Sequence, residues 1–204
     1  MKNNALAEQP DEVLVRLTLE QGSHFFGNLV KRHSNYLYGL GMRLTGGNHA
    51  MAHDVSQQAF IKAFKYLHSF DADHIGLGKD SANRFRNWLT GIATNCHTDL
   101  ARSESKYGEY KEDEIQDIDS GQQAQSAAAE LNEFEEMIKP LSTHERQLIT
   151  LRFVYEFSIA EIAGMLSLKS GTVKSQISRT VAKLRNELES TESDANTKCD
   201  RGTE

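Results

Sequence analysis

The sequence predicts an all-α protein of two small helical domains joined by a flexible acidic linker, and three observations point that way. Only two prolines and 14 glycines are spread over 204 residues, so long helices meet few breakers. Apolar residues recur at the three- and four-residue spacing of a helix, with no strand-like alternation of β-branched residues. Past residue 105 an acidic run and a low-complexity segment split the apolar pattern into two blocks.

The first block, residues 11–105, holds four helices. Val13, Leu14 and Leu17 mark a short amphipathic helix from Asp11 to Glu20, ending near Gly22. A longer one follows through Phe25, Phe26, Leu29, Val30, Tyr36, Leu37, Leu40 and Leu44. Gly46 and Gly47 supply its stop, because a left-handed terminal residue favours glycine. The third is expected from about Ala50 to His68, with the apolar stripe Val55, Ala59, Phe60, Ala63, Phe64 and Leu67. Asp54, Gln57, Gln58, Lys62 and Lys65 fall mainly off that stripe and leave one face for a partner. Residues 71–84 are polar and aperiodic, a loop. Phe85, Trp88, Leu89, Ile92, Ala93 and Cys96 then define a fourth helix reaching about Ser103, with Trp88 expected in the core.

The linker, residues 106–130, contains Glu109, Glu112, Asp113, Glu114, Asp117 and Asp119 and then SGQQAQSAAAE, which can bury little apolar area. A second domain is expected over residues 131–189. Leu131, Phe134, Met137 and Ile138 form its first helix, which stops around Pro140. Ser142 or Thr143 can cap the next, with Glu145 and Arg146 in the first turn and Leu148, Ile149, Leu151, Phe153 and Val154 buried. Residues 190–204 form a polar tail, expected to be disordered.

Residues 158–188, SIAEIAGMLSLKSGTVKSQISRTVAKLRNEL, read as a helix-turn-helix. Ser158 with Glu161 makes a capping box, and Ile159, Ile162, Ala163 and Leu166 form the buried side of the first helix. Ser170 can cap the second, with Thr172 near its start and Val173, Ile177, Val181 and Leu184 toward the core. Lys174, Ser175, Gln176, Arg179 and Lys183 remain outside, with Ser178 and Arg185. The start of such a helix enters the major groove, where Lys and Arg reach guanine acceptors and Gln pairs with adenine. Lys174, Ser175, Gln176 and Arg179 are therefore the base-reading candidates, with Thr172 and Lys183 beside them. A net charge of −6 argues against nucleic acid on average, yet residues 169–185 carry five basic residues and no acid.

The second block, with LSTHERQLITLRFVYEFSIAEIAGML and GTVKSQISR, resembles region 4 of extracytoplasmic-function (ECF) sigma factors, and also LuxR-type activator domains. The first block separates the two: RLTGGNHAMAHDVSQQAFIKAFKYLHSF followed by FRNWLTGIATNCHTDLAR resembles sigma region 2. The resemblance implies an RNA polymerase specificity subunit, not an enzyme. Region 4 would read the minus-35 promoter element, and region 2 would melt and read the minus-10 element. Implied partners are core RNA polymerase through its β′ clamp helices and β flap, promoter DNA, and an anti-sigma factor.

By the same resemblance Asp54, Gln57, Gln58 and Lys62 dock on the clamp helices. Phe70 and Asn95 fall at pocket positions, where a ring can stack on an extruded base and an amide can bond its edge. Arg84, Arg86 and Arg102 are candidates for phosphate contact. The linker acids could mimic phosphates inside a polymerase channel, and a solvated spacer fits them equally.

Other classes fit less well. The first twenty residues hold no apolar stretch of signal-peptide length, so a soluble cytoplasmic protein without membrane insertion is expected. Cys96 and Cys199 are far apart in unlike settings, which argues against a disulfide. His49 and His53 have the spacing of two zinc ligands on a helix. The glutamate of an HExxH motif is missing between them, and no catalytic residue, metal or cofactor is expected. The rival reading is a LuxR-like activator acting without a polymerase-docking domain.

Overall fold

A computed structural model describes residues 6, 8–70, 84–107, 136–138 and 140–199; the expected loop, most of the linker and the start of the second domain lie outside these residues. Every regular element among the described residues is helical. Helix α1 (Asp11–Gln21) leads through a 3-10 turn, Ser23–Phe25, into α2 (Phe26–Thr45) and α3 (His49–Lys65). A second 3-10 turn, Leu67–Ser69, precedes α4 (Arg84–Tyr107). The second block contains α5 (Thr143–Ile149), a π turn over Thr150–Val154, α6 (Ile159–Leu166) and α7 (Ser170–Cys199). No described helix is long and apolar enough to cross a membrane.

The boundaries follow from local chemistry. Gly46 closes α2 in the left-handed region at φ 67°, which costs glycine no steric strain. Asn48 caps α3 by accepting a hydrogen bond from the Met51 N–H. Ser142 with Glu145 and Ser158 with Glu161 each form a complete capping box, in which hydroxyl and carboxylate satisfy each other's backbone N–H.

Helices α1 to α4 enclose one core in which Leu14, Leu29, Leu37, Leu40, Phe85 and Leu89 are fully buried; as expected, Trp88 packs against it. The α2–α3 crossing is close: a Cβ on Gly41 would lie 2.8 Å from the Ala52 carbonyl oxygen. Asp11 fastens α1 to α2, accepting a hydrogen bond from Arg32 and lying 2.8 Å from His33 Nε2. Burial alone would raise the Asp11 carboxyl, but the hydrogen bonds and charges of His33 and Arg32 outweigh it and hold the group below its ordinary 3.8. The second block has two smaller clusters, one around Leu148, Leu151, Ile162 and Val173, the other around Ile138, Ile149 and Leu184.

Three expectations need correction. Phe153 is 56% exposed, because the π turn adds a residue to the helical repeat and breaks the register that would have placed it inside. Phe64 is 47% exposed, sitting at the rim of its stripe with one face on the Phe26 ring. Helix α7 runs on to Cys199, past Leu188, through part of the expected tail. Residues 189–199 contain neither glycine nor proline, so nothing there breaks the helix.

The two blocks also touch, α5 and α6 lying against α2 and α4. At the centre is Gln147, 1% exposed, whose side-chain amide donates to the Thr94 carbonyl (3.1 Å) and Thr98 Oγ1 (2.7 Å) of α4 and lies 3.0 Å from His97 Nδ1. Met165 covers Gly91, and Tyr155 meets Tyr36 edge-on with centroids 5.4 Å apart. Burial, assisted by the charge of Arg146, pushes His97 down to about 4.

Candidate nucleic-acid interface

The helix-turn-helix is set by backbone devices at each end of α6. Glu156, at φ 56°, turns the chain into the Ser158 capping box, and Ser167, at φ 54°, ends the helix in the left-handed region. The Leu168 N–H reaches back to the Ala163 carbonyl at 2.9 Å, and α7 starts at Ser170. Val173 and Ile177 are buried against α6, so the residues between them face outward.

Lys174, Ser175 and Arg179 are exposed, and Thr172, Gln176 and Lys183 are half-buried. Ser175 Oγ donates to the Thr172 carbonyl (2.9 Å) and Arg179 Nε to the Ser175 carbonyl (3.3 Å), which draws both side chains along their own helix. Gln176 Oε1 lies 3.1 Å from His144 Nε2 on α5. Lys183 Nζ donates to the Pro140 carbonyl (3.1 Å) and to Glu145 Oε2 (3.3 Å), so it straps α7 to the start of α5. Hydrogen bonding within the Ser142 cap, helped by Lys183, holds the Glu145 carboxyl below its ordinary 4.5.

On the first domain Asn95 and Arg102 are exposed on α4. Their positions follow Gly91 and Thr98 at helical spacing, so they share one face with residues that meet the second domain. Arg84 and Arg86 are half-buried near the start of α4, the Arg86 guanidinium lying 5.2 Å over the Tyr36 ring. Phe70 is 9% exposed, its ring 5.5 Å from Phe85 and 5.3 Å from Trp88 by centroids. The structure thus places Phe70 within an aromatic cluster of the core, whereas Asn95 is exposed.

On α3, Asp54, Gln57 and Gln58 are exposed. Lys62 turns away toward α4, where its ammonium donates to Asp99 Oδ2 at 3.0 Å; that hydrogen bond is the main cause of its raised pKa. The sequence reading missed Ile61, 54% exposed, and the exposure of Phe64, which together add apolar surface beside Gln57 and Gln58. An unpartnered isoleucine one helical turn from two glutamines was the available signal.

Residues 29–107 match the sigma-70 region 2 family, and residues 131–184 match sigma-70 region 4. The chain is 30% identical over 176 residues to the ECF RNA polymerase sigma factor SigW of Bacillus subtilis, covering 80% of this chain and 88% of that one. It is 28% identical over 189 residues to the RNA polymerase sigma factor NccH of Alcaligenes xylosoxydans xylosoxydans, covering 89% and 96%. Among solved structures it is similar to CnrH in complex with the cytosolic domain of CnrY, with a TM-score of 0.59, 27% identity and coverage of 88% of this chain and 97% of that one. The fold is shared with the sigma factor RpoE of Bartonella quintana, at a TM-score of 0.57 and 22% identity, with coverage of 80% and 96%. A LuxR-like activator is not favoured, since it leaves residues 29–107 without a role. A sigma-70 region 2 domain followed by a region 4 helix-turn-helix domain, together with the identity to SigW, makes this chain a member of the extracytoplasmic-function RNA polymerase sigma factors.

Proposed function

We propose that this sigma factor docks on the β′ clamp helices of core RNA polymerase through the α3 face of Asp54, Gln57, Gln58, Ile61 and Phe64. Lys62 acts there through Asp99, bracing α3 against the helix that meets DNA. Asn95, with Arg84, Arg86 and Arg102, handles the minus-10 element, and Phe70 supports that surface from below through Trp88. Thr172, Lys174, Ser175, Gln176 and Arg179 read the minus-35 element, Lys183 holding their helix in place. Exposed Phe153 offers the second domain an apolar contact for the β flap.

One observation carries this reading: a single chain presents two outward faces of unlike chemistry, each backed by its own core. The start of α7 is basic and free of acid, as phosphate-rich DNA requires, whereas α3 is mixed polar and apolar, as a protein partner requires. CnrH was solved with the cytosolic domain of CnrY, and RpoE with the anti-sigma factor NepR. An anti-sigma factor is the third partner in this reading.

The test is transcription reconstituted from the purified chain and core polymerase on a library of genomic fragments. Initiation from a restricted set of fragments is the expected result. Failure of the chain to associate with polymerase stripped of other sigma factors would overturn the proposal.

A further inference from the structure

Gln176 stands in the base-reading row, but its amide already has a partner inside the protein. The ring of His144 approaches it from α5, with Nε2 at 3.1 Å from Oε1. His144 is itself held in place. It sits in the first turn of a helix fixed by the Ser142–Glu145 capping box and by the Lys183 strap. Gln176 is half-buried, with its amide oxygen turned toward α5.

The chemistry of this contact bears on which base Gln176 selects. An amide oxygen only accepts, so the ring nitrogen donates. A glutamine with both ends open reads adenine by accepting from N6 and donating to N7 together. Here His144 holds the oxygen toward α5, so bidentate contact with adenine requires the amide to turn from that bond or to use the oxygen's second lone pair. The NH2 group keeps its two hydrogens, which match an edge presenting two acceptors. Guanine, with O6 and N7, presents such an edge in the major groove.

We propose that His144 is a positioning residue that sets the base preference of Gln176, holding its amide as a donor so that guanine is favoured over adenine at one minus-35 position. The inference rests on Gln176 being a base-reading residue, and its test separates the two ideas. Holoenzyme assembled from core polymerase and the full chain is offered promoters randomised through the minus-35 element, and bound fragments are sequenced. The chains compared are wild type, His144→Ala, His144→Gln, Gln176→Ala and the double variant His144→Ala/Gln176→Ala.

In His144→Ala the guanine-to-adenine ratio at one position is expected to fall by about five-fold or more, the low end of what a bidentate contact discriminates. His144→Gln, which restores a side-chain donor, should recover the wild-type preference. Gln176→Ala should lose preference at that same position, and the double variant should match it. A role for His144 in stability alone would weaken all sequences alike and leave the ratio unmoved. That result, or a shift toward guanine, overturns the inference while Gln176 remains a reader. If Gln176→Ala changes no position, the base-reading assignment falls and the inference with it.

Discussion

The two domains reach their shapes by different routes. The first is organised globally: four helices share one core, and Phe85 is fully buried among residues from distant parts of the chain. The second is organised locally, with two capping boxes, a π turn and two left-handed non-glycine residues, Glu156 and Ser167, directing the chain around two small clusters. In the proposed reading the difference follows what each has to hold. A docking face on a long helix needs rigidity over several turns, which a large core gives, whereas a reading head needs one helix start aimed within a groove, which caps and turns define.

The largest effects are expected at the cores. Phe85→Ala removes a ring from the centre of the first domain and should cost about 3–5 kcal/mol. Ile162→Ala should cost less, about 2–3 kcal/mol, because a thin cluster relaxes around the gap. Urea unfolding followed by circular dichroism measures both, and equal losses would contradict the contrast between a global and a local build. Next comes the seam between domains. The His97 ring stays neutral beside Arg146 and Gln147 while an exposed histidine would bind a proton, so separated domains bind more protons below pH 6.5. The seam is at full strength above pH 6.5 and should loosen as pH falls toward about 4, read as an increase in radius of gyration by small-angle scattering. His97→Gln should remove that dependence.

A smaller effect is expected at the caps. Ser158→Ala deletes one capping box and should cost about 1 kcal/mol, with a matching fall in minus-35 binding by the holoenzyme. Removal of the first domain's Asn48 cap should cost a similar amount and leave minus-35 binding unchanged. The smallest effect at neutral pH should come from Asp11→Asn at the anchor of α1. Because the Asp11 carboxyl lies below 3.8 in the folded chain, its contribution is present above that pH and lost as pH falls through the folded value. Wild type should therefore be the more stable at neutral pH and converge with the variant in strong acid, as thermal melting across pH would show.

Local features were legible in the sequence. Gly46, a cap at Ser142 or Thr143, Ser158 with Glu161 and the buried row Val173 and Ile177 could all be read because each signal lies within a turn or two of chain. Contacts between distant residues were not. Lys62 with Asp99 spans 37 residues, His144 with Gln176 spans 32, and Gln147 with Thr94 spans 53; helical periodicity says nothing about any of them. Phe70 illustrates the limit. Its pocket role was implied by resemblance, and only the approach of Phe85 and Trp88 from α4 shows the ring enclosed. Phe153 failed for another reason, since a π turn carries no sequence mark that a periodic reading can use.

The hydrogen bonds of Gln147 have a mechanical corollary. Promoter elements named for positions −35 and −10 are about 25 base pairs apart, or roughly 85 Å at about 3.4 Å per pair. In the proposed reading both elements are held at once, so a second domain that rests on α4 has to leave it first. A polar clasp lends itself to that. Each of its hydrogen bonds can be exchanged for water at a net cost of about 1 kcal/mol, where a greasy seam of equal size would resist wetting.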